Sequence, residues 1–351
     1  MTTDELRAVF DAPDPLTIGL EEEVMLVDAQ TFDLVPVAAE ILDGRPGLKL
    51  ELPASQVEIV TVPAATVGAA IVELTDGRRR LAEAASPTVR VIAAGVHPHA
   101  APLGVLNQGA RYAAILHEFQ DVARAQLVCA LQVHVAVGSA DASLRAYNAL
   151  RPHLPELAAL AANAPFHAGR DTGYASVRPL IGTLLPRQGV PPAIPSWAAF
   201  GEMLRWIDDP ATWWYELRPH VVHGTLEVRV CDTQTTVQEA AAIAAYVHAL
   251  VAWLIERDDE PESVECWRIE HNRFAAARHG LDASFADVAT GERRPVRDIL
   301  RERLDALQPV AERLGCAAEL AGLSLEANGA DRQREAGLDA AAGWLADRFL
   351  S

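Results

Sequence analysis

Three consecutive glutamates interrupt a mainly apolar run at residues 16–27. The run has the composition of a β-strand, and a strand sends successive side chains to opposite faces. Glu21 and Glu23 therefore project from one face, while Glu22 shares the other face with apolar neighbours. Two carboxylates on one face repel each other, and a bound cation or a shared proton would hold them together. A solvated edge strand would also tolerate them, so this strand alone leaves both interpretations open.

Three further runs divide their side chains in the same way, into one apolar face and one polar face. They lie at residues 56–61, 127–135 and 224–230. Their polar faces carry Gln56 and Glu58, then Gln132 and His134, then Thr225, Glu227 and Arg229. Glu51, on the predicted strand before residue 56, is a further candidate. The wet face of an ordinary half-exposed sheet favours Thr, Lys and Ser, so the pattern favours a functional sheet face.

The charge of the chain limits its partners. A net charge of −18 over 351 residues argues against a nucleic-acid partner, whereas a small anion can still bind at a local positive site. The 30 basic side chains comprise 29 Arg and a single Lys, Lys49. A Walker phosphate loop requires a Lys after its glycine, so that class of nucleotide site is excluded, and covalent catalysis by Lys is disfavoured.

The four cysteines are scattered and lack the spacing of a disulfide framework or a zinc site. Cys129 falls on the apolar face of its predicted strand, which predicts a small buried side chain. Cys231 falls on the polar face of its strand, which predicts a position near the site. His220 and His223 flank a predicted turn and are left open between the site and the surface.

Nothing in the sequence indicates export or a membrane. The first residues lack the basic region and apolar core of a signal peptide, and no run approaches the roughly 18 apolar residues that span a bilayer. The Ala-rich stretch at 240–255 predicts a buried helix, and the arginine run at 78–80 predicts a solvated helix face. We therefore expect a cytoplasmic protein without a membrane partner.

The order of the predicted elements indicates an α+β fold. By length the chain could form one large domain or two of ordinary size. Its predicted strands lie mainly before about residue 236, and 237–351 is predicted to be helical. Strands are predicted near 16–27, 34–37, 48–52, 56–61, 88–94, 127–135, 213–218 and 224–231. Helices are predicted near 66–85, 111–124, 155–162, 237–257, 263–279, 295–306, 309–322 and 331–349. The strand spacing favours an antiparallel sheet with helices on one face and ligand on the other, and the long loop at 164–196 is expected to be functional.

The polar sheet face has the composition of a site for hard divalent cations. Several carboxylates with one imidazole suit Mg²⁺ or Mn²⁺, whereas Zn²⁺ would favour a closed set of His and Cys. Arg229 lies two residues after Glu227, and Arg218 is a further candidate on the preceding strand. Arginines beside carboxylate-bound metals are typical of sites that bind nucleotide phosphates.

At this point the sequence resembles a known family in eight ordered segments, which lie between about residues 16 and 335. The segments are 19–23, 56–61, 95–98, 131–135, 169–176, 218–220, 224–233 and 272–280. Together they look like the carboxylate–amine ligases, also called type 2 glutamate–cysteine ligases, of the glutamine synthetase superfamily. Each segment alone is weak evidence for the family, but the combination of all eight in the same order is highly specific.

The resemblance implies a fold, a reaction and a set of site residues. The fold is one catalytic domain over 1–351, with a curved antiparallel sheet that has helices on its convex face and binds ATP and two or three Mg²⁺ on its concave face. The reaction is ATP-dependent amide formation through an acyl phosphate, between an acid such as glutamate and an amine such as cysteine. The implied metal ligands are Glu21, Glu23, Glu51, Glu58, His134 and Glu227. Arg229, Arg218 and Gln132 would bind the nucleotide, with Arg229 on the transferred phosphoryl group and Arg170, Asp171 and Tyr174 in a substrate loop.

The chain departs from the family pattern only within the 164–196 loop, at His167, Val177, Pro179 and 187–188. The chemistry is therefore more secure than the identity of the acid and the amine. A phosphotransferase on the same fold and a non-catalytic protein that binds ATP and metal stay open as alternatives. A homodimer is compatible with the exposed Trp residues and the helical C-terminal half.

Overall fold

A seven-stranded antiparallel sheet organises the computed structural model, which describes residues 1–42, 44–85, 87–207, 210–257 and 263–351. The described strands are β1 (Ile18–Asp28), β2 (Leu48–Leu50), β3 (Gln56–Val60), β4 (Val89–Ile92), β5 (Ala130–Ala136), β6 (Phe166–His167), β7 (Arg170–Asp171), β8 (Leu217–His220), β9 (Thr225–Asp232), β10 (Ser284–Ala286) and β11 (Arg293–Pro295). The sheet has the order β2-β3-β1-β5-β9-β8, with β4 also paired to β1. The strands β6 and β7, and likewise β10 and β11, form separate two-stranded pairs.

Helices make up most of the remaining chain. They are α1 (Thr3–Asp11), α2 (Ala38–Leu42), α3 (Val67–Ala85), α4 (Ala110–Phe119), α5 (Asp121–Arg124), α6 (Ala140–Leu150), α7 (Leu154–Leu160), α8 (Arg178–Gly182), α9 (Trp197–Leu204), α10 (Val237–Glu256), α11 (Cys266–His279), α12 (Val296–Leu314), α13 (Ala317–Ala321), α14 (Gly329–Ala336) and α15 (Leu338–Arg348). This mixture of helices with an antiparallel sheet confirms the α+β prediction.

The strand register brings the polar side chains of four strands onto one face. Opposed pairs on that face are Glu23 and Glu58, Glu21 and Gln132, and His134 and Glu227. Directly opposed residues of antiparallel strands have neighbouring side chains, so these pairs form one continuous polar surface. The face ends where β1 becomes apolar, because Met25 and Val27 pack with Ile92, Cys129 and Leu345. Cys129 is buried as predicted, but it packs with these residues and not with Leu131 and Val133 in the main core.

The opposite face of the sheet packs on the main hydrophobic core. Leu20, Val133 and Val228 point into this core, where α10 covers β5 and packs against α3, α6, α12 and α13. Thr236 begins α10 with a capping box, in which its hydroxyl accepts from the Glu239 N–H and the Glu239 carboxylate accepts from the Thr236 N–H. The helix layer around α10 therefore lies on the face opposite the polar side chains.

Helix α10 corrects one expectation about membranes. By length and composition it is apolar enough to cross a bilayer, although no such run was expected from the sequence. However, 72% of its most apolar window is buried inside the structure. This burial confirms the prediction of a buried helix and is typical of a core helix in a globular fold.

The third glutamate of the run is neutralised by an ion pair on the core face. Glu22 and Arg78 are both fully buried, and the guanidinium donates to both carboxylate oxygens at 2.6 and 2.8 Å. Arg78 also donates to the carbonyls of Gln234, Thr235 and Phe349, which ties α3 to the C-terminus. Removing one partner of such a pair costs about 3–5 kcal/mol. The buried guanidinium corrects the expectation of a solvated arginine face.

Several element boundaries differ from the prediction for local reasons. The strand predicted at 34–37 reduces to one bridge between Leu34 and Val27, because Pro36 has no N–H to continue a ladder. The helix predicted at 111–124 is broken at Gln120, which has a φ of 51°. Helix α12 runs through Pro309, where a break was expected, and buried Leu307 and Val310 hold both sides of the proline in the core. The C-terminal region also contains the unpredicted pair β10–β11.

Candidate active site

The first candidate metal-binding group comprises Glu21 of β1, His134 of β5 and Glu227 of β9. Their ligand atoms all lie within 4.8 Å of one another. His134 Nε2 lies 3.8 Å from Glu21 Oε2 and 4.0 Å from Glu227 Oε1, and it is buried without a hydrogen-bond partner among the described residues. His134 Nδ1 contacts Thr225 Oγ1 at 2.9 Å, which fixes the ring. An orphaned imidazole nitrogen aimed between two carboxylates fits a divalent cation.

The second group comprises Glu23 of β1, Glu51 after β2 and Glu58 of β3, again with ligand atoms within 4.8 Å. Burial and the charge of Glu51 raise the pKa of Glu23 to about 8. Burial also raises the pKa of Glu51, and burial with repulsion from Glu51 and Glu21 raises the pKa of Glu58 well above its ordinary value. Three carboxyls that resist ionisation together require protons or a cation, and hard cations prefer such oxygen ligands.

Two arginines converge on the carboxylate of Glu227. Arg218 donates to it through Nε and, at 2.9 Å, through Nη2, and Arg229 donates to it through Nη1. Arg229 Nη1 also donates to Gln132, whose amide donates to Glu23 at 2.8 Å. Although burial opposes ionisation, Arg229 and Arg218 lower the pKa of Glu227 to about 2. A continuous hydrogen-bonded chain therefore joins the two groups, with Arg229 between them.

A β-bulge in β9 sets the direction of Arg229. Opposed residues change from Val133–Val228 to Leu131–Cys231, so β9 has one extra residue at 229–230. The bulge reverses the alternation beyond that point and turns Cys231 into the core, where burial raises the pKa of its thiol to about 12. The prediction of Cys231 near the site is therefore wrong, because strict alternation holds only up to the bulge.

Asp232 faces the site, in the place where strict alternation would put Cys231. Its carboxylate also accepts the hydrogen bonds that hold the bulge. Arg178 Nε donates to the carboxylate of Asp232 at 2.7 Å, and its Nη2 donates to the carbonyl of Val230 at 2.6 Å. Ser176 Oγ and the Asn163 N–H also donate to Asp232, at 3.0 and 2.7 Å. No pattern in the sequence indicates this network, because its members are far apart in the chain and the bulge changes the face on which Asp232 lies.

Comparison with known proteins decides the family. The family model described as Glutamate-cysteine ligase family 2 matches residues 17–337. The chain belongs to the glutamate–cysteine ligase family 2. This confirms the resemblance drawn from the eight segments, and it makes the protein an ATP-dependent ligase that forms a carbon–nitrogen bond.

Relatives of this ligase align along nearly all of its length. A protein of Leifsonia xyli subsp. xyli, provisionally named glutamate–cysteine ligase 2, is 36% identical over 349 residues, covering 94% of this chain and 92% of the relative. A protein of Rubrobacter xylanophilus, provisionally named glutamate–cysteine ligase 2-3, is 38% identical over 344 residues and covers 93% of both chains.

Two solved structures share the fold of this ligase. The glutamate–cysteine ligase of Francisella tularensis in complex with AMP has a TM-score of 0.72 at 12% identity, covering 95% of this chain and 89% of that chain. The bifunctional glutathione synthetase of Pasteurella multocida has a TM-score of 0.70 at 15% identity, and the match covers 99% of this chain and 53% of that chain. At these identities the likeness establishes the fold alone.

Two further histidines of the ligase lie beside the first metal-binding group. The rings of His220 and His223 stack with centroids 4.3 Å apart, and they lie 5.4 and 5.9 Å from the ring of His134. Burial lowers the pKa of His220 to about 3, so its ring is neutral at neutral pH. The structure thus brings these two residues, which the sequence left open, to the edge of the site.

Of the three residues predicted to bind substrate, Arg170 and Asp171 form β7, and Tyr174 lies in the loop that follows, which C-terminal helices hold. Asp171 accepts two hydrogen bonds from Arg334 of α14, both at 2.9 Å. Tyr174 lies under the guanidinium of Arg278 of α11, with 5.3 Å between the charge and the ring centroid, while Arg170 is exposed. These contacts anchor the loop, and the roles of the three residues in substrate binding stay predictions.

A cavity opens beside the second group, between α4 and the 182–189 segment. It has a volume of about 140 Å³, with Glu23 and Glu51 on one side and Arg111, Trp214 and Gln56 among its other walls. The amide nitrogen of Gln56 is buried there without a hydrogen-bond partner among the described residues. The exposed guanidinium of Arg111 has no ion pair within the described ranges. The cavity therefore presents two unused donors next to the carboxylates.

Proposed function

We propose that this ligase joins the carboxylate of a small acid, such as glutamate, to a small amine, such as cysteine, using ATP and two or three Mg²⁺. The observation that carries the proposal is the pair of carboxylate groups joined through Arg229. The orphaned Nε2 of His134 and the raised pKa of Glu23 support a divalent cation in each group. Glu21, His134 and Glu227 would hold one Mg²⁺, and Glu23, Glu51 and Glu58 would hold another. These ions would supply positive charge that neutralises the phosphates.

The proposed reaction has two steps, and the side chains of the site position the reacting groups for them. In the first step a carboxylate oxygen of the acid attacks the γ-phosphorus of ATP, which forms an acyl phosphate and releases ADP. Arg229 would neutralise the charge on the transferred phosphoryl group, while Glu227 and Gln132 hold its guanidinium in place. In the second step the amine attacks the acyl carbon, loses a proton and displaces phosphate to leave the amide.

The cavity beside Glu23 is a suitable place for the acid. It adjoins the second carboxylate group, and its far wall carries Arg111 in the first turn of α4. No side chain caps the N-terminus of α4, and no acidic residue lies in its first turn, so the helix dipole adds to the positive potential. These features support an acid whose second anionic group contacts Arg111 while its reacting carboxylate faces Glu23.

We expect Arg111→Gln to raise the KM for such an acid about tenfold to hundredfold, which corresponds to losing one charge-assisted hydrogen bond. Glutamate should lose its advantage over 4-aminobutyrate, which lacks the α-carboxylate, while the KM for ATP stays within about twofold of the wild-type value. Steady-state phosphate release with the two acids measures this change. Equal losses for both acids would show that Arg111 does not select the second anionic group.

The proposed reaction is tested by phosphate release from ATP with Mg²⁺, across amino acids supplied singly and in pairs. Release that requires one acid together with one amine would support the ligase reaction and name both substrates. Formation of ADP with the acid alone, with the phosphoryl group retained on the acid and no amide product, would favour the phosphotransferase. Tight ATP binding without release from any pair would favour a non-catalytic protein.

A further inference from the structure

Lys49, the single Lys among 30 basic side chains, lies inside the proposed site. It belongs to the edge strand β2 and stands directly opposite Glu58 of β3. Its ammonium nitrogen lies 3.5 Å from Glu21 Oε1 and 3.4 Å from Glu58 Oε2. Glu21 belongs to the first metal-binding group and Glu58 to the second, so one ammonium bridges both groups.

The Lys49 bridge is more exposed than the ion pair between Glu22 of β1 and Arg78. The side chains of Glu22 and Arg78 are both 0% exposed, and Arg78 is also fixed by three backbone carbonyls. The side chain of Lys49 is 55% exposed, whereas its partners are 15% and 9% exposed. Lys49 can therefore leave the carboxylates by rotating its stem into solvent, without opening the core.

The chemistry of Lys suits a cation that moves. An ammonium is a compact point charge on a flexible four-carbon stem, whereas a guanidinium forms planar bidentate contacts that hold a carboxylate in one geometry. Both carboxylates that Lys49 contacts belong to the groups expected to bind a divalent cation. A metal ion and the ammonium therefore compete for the same oxygens.

We propose that Lys49 is a displaceable counter-cation that couples metal binding to nucleotide binding. Without nucleotide, its ammonium neutralises Glu21 and Glu58 and weakens the binding of divalent cations. A nucleotide polyphosphate at the site gives the ammonium another anionic partner and frees both carboxylates for metal. This inference rests on the proposed function, because it requires metal and nucleotide to share the polar face.

Thermodynamic linkage makes the coupling reciprocal and measurable. If nucleotide strengthens metal binding by some factor, metal strengthens nucleotide binding by the same factor. Binding couplings between two ligands are usually about 5-fold to 150-fold, and we expect about tenfold from one partly exposed ammonium. Removing the ammonium should strengthen metal binding without nucleotide and reduce the coupling.

The test is calorimetric titration of the full chain with Mn²⁺, with and without a non-hydrolysable ATP analogue. Lys49→Met should bind Mn²⁺ about tenfold more tightly than wild type without the analogue, and the analogue should strengthen Mn²⁺ binding by a smaller factor. Lys49→Arg, which keeps the charge, should bind Mn²⁺ no more tightly than wild type. Thermal unfolding of each variant checks that the edge strand is intact.

The matched control is Arg205→Met, which changes the net charge equally at an exposed ion pair with Glu202. It should leave Mn²⁺ affinity unchanged, and an equal rise in both variants would assign the effect to bulk charge and overturn the inference. Equal Mn²⁺ affinity and equal coupling in wild type and Lys49→Met would overturn it as well. No Mn²⁺ binding by any of the proteins, even with nucleotide, would instead overturn the proposed metal sites themselves.

Discussion

Replacing Glu23 by Gln is expected to lower the rate of phosphate release from ATP about a thousandfold and to leave the fold intact. The amide of Gln is a poor ligand for a hard cation and carries no charge, so the second metal-binding group loses one of its three carboxylates. Glu23 accepts one bond from the Gln132 amide and another from the Ala130 N–H, and because a Gln amide has a single oxygen, one of these two bonds would also be lost. Single-turnover phosphate release, with ATP binding measured by calorimetry, separates these effects from substrate affinity.

The pH dependence of the stability of Glu23→Gln should differ from that of wild type, because only wild type has a carboxyl that can be protonated at position 23. Its pKa rises from an ordinary value of 4.5 to about 8, so the folded protein without metal holds a proton that the unfolded chain releases at neutral pH. Stability is therefore lost as pH rises from about 4.5 to about 8 in wild type, and Gln at this position removes that part of the loss. Thermal unfolding at both ends of this range, with a chelator present, should show the smaller pH dependence.

Glu202→Gln is the matched control for this experiment, because Glu202 is an exposed carboxylate in a surface ion pair with Arg205. It should retain wild-type turnover and wild-type stability at both pH values. Phosphate release by Glu23→Gln within about tenfold of wild type would remove Glu23 from the metal site. A collapse of its fold would show that the buried carboxylate has a structural role instead.

Alternation along strands predicts most of the candidate site from the sequence alone. It put Glu21, Glu23, Glu58, His134 and Glu227 on one sheet face, and the register brings them into two groups. The prediction succeeds because side chains of a strand alternate between two faces. Once the apolar residues identify the buried face, the face of each remaining side chain in that strand is known. Alternation could not show which strands are neighbours, and that pairing is what separates the carboxylates into two groups.

The failures come from features that one local pattern does not contain. The bulge at 229–230 exchanges the faces of Cys231 and Asp232, and an extra residue in a strand leaves no mark on composition. The pairing of Glu22 with Arg78 joins residues 56 positions apart, so a run of arginines on a helix gave no sign of it. Helix α12 continues through Pro309 because tertiary packing outweighs local propensity.

Arg229→Lys is expected to lower the rate of the phosphoryl-transfer step about a thousandfold. Arg229 donates to Glu227 and to Gln132 through Nη1 alone, so its other guanidinium nitrogens can contact a phosphoryl group, whereas a Lys side chain has one nitrogen for all three contacts. Burial opposes the charge of Arg229, and Glu227 with Glu23 raises the pKa of its guanidinium despite that burial. The variant keeps the positive charge, so ATP affinity should fall by less than about tenfold while the chemical step fails.

Arg303→Lys distinguishes this loss from a general effect of changing a partly buried arginine. Arg303 forms an ion pair with the buried Glu156, as Arg229 does with Glu227, but it lies on α12 in the helical part of the chain. Because its contacts lie outside both metal-binding groups, turnover by this variant should stay near wild type, even where its unfolding temperature drops. Equal losses of turnover in the two variants would indicate that stability limits both. A loss of turnover confined to Arg229→Lys would place the guanidinium of Arg229 on the transferred phosphoryl group, between the two metal-binding groups.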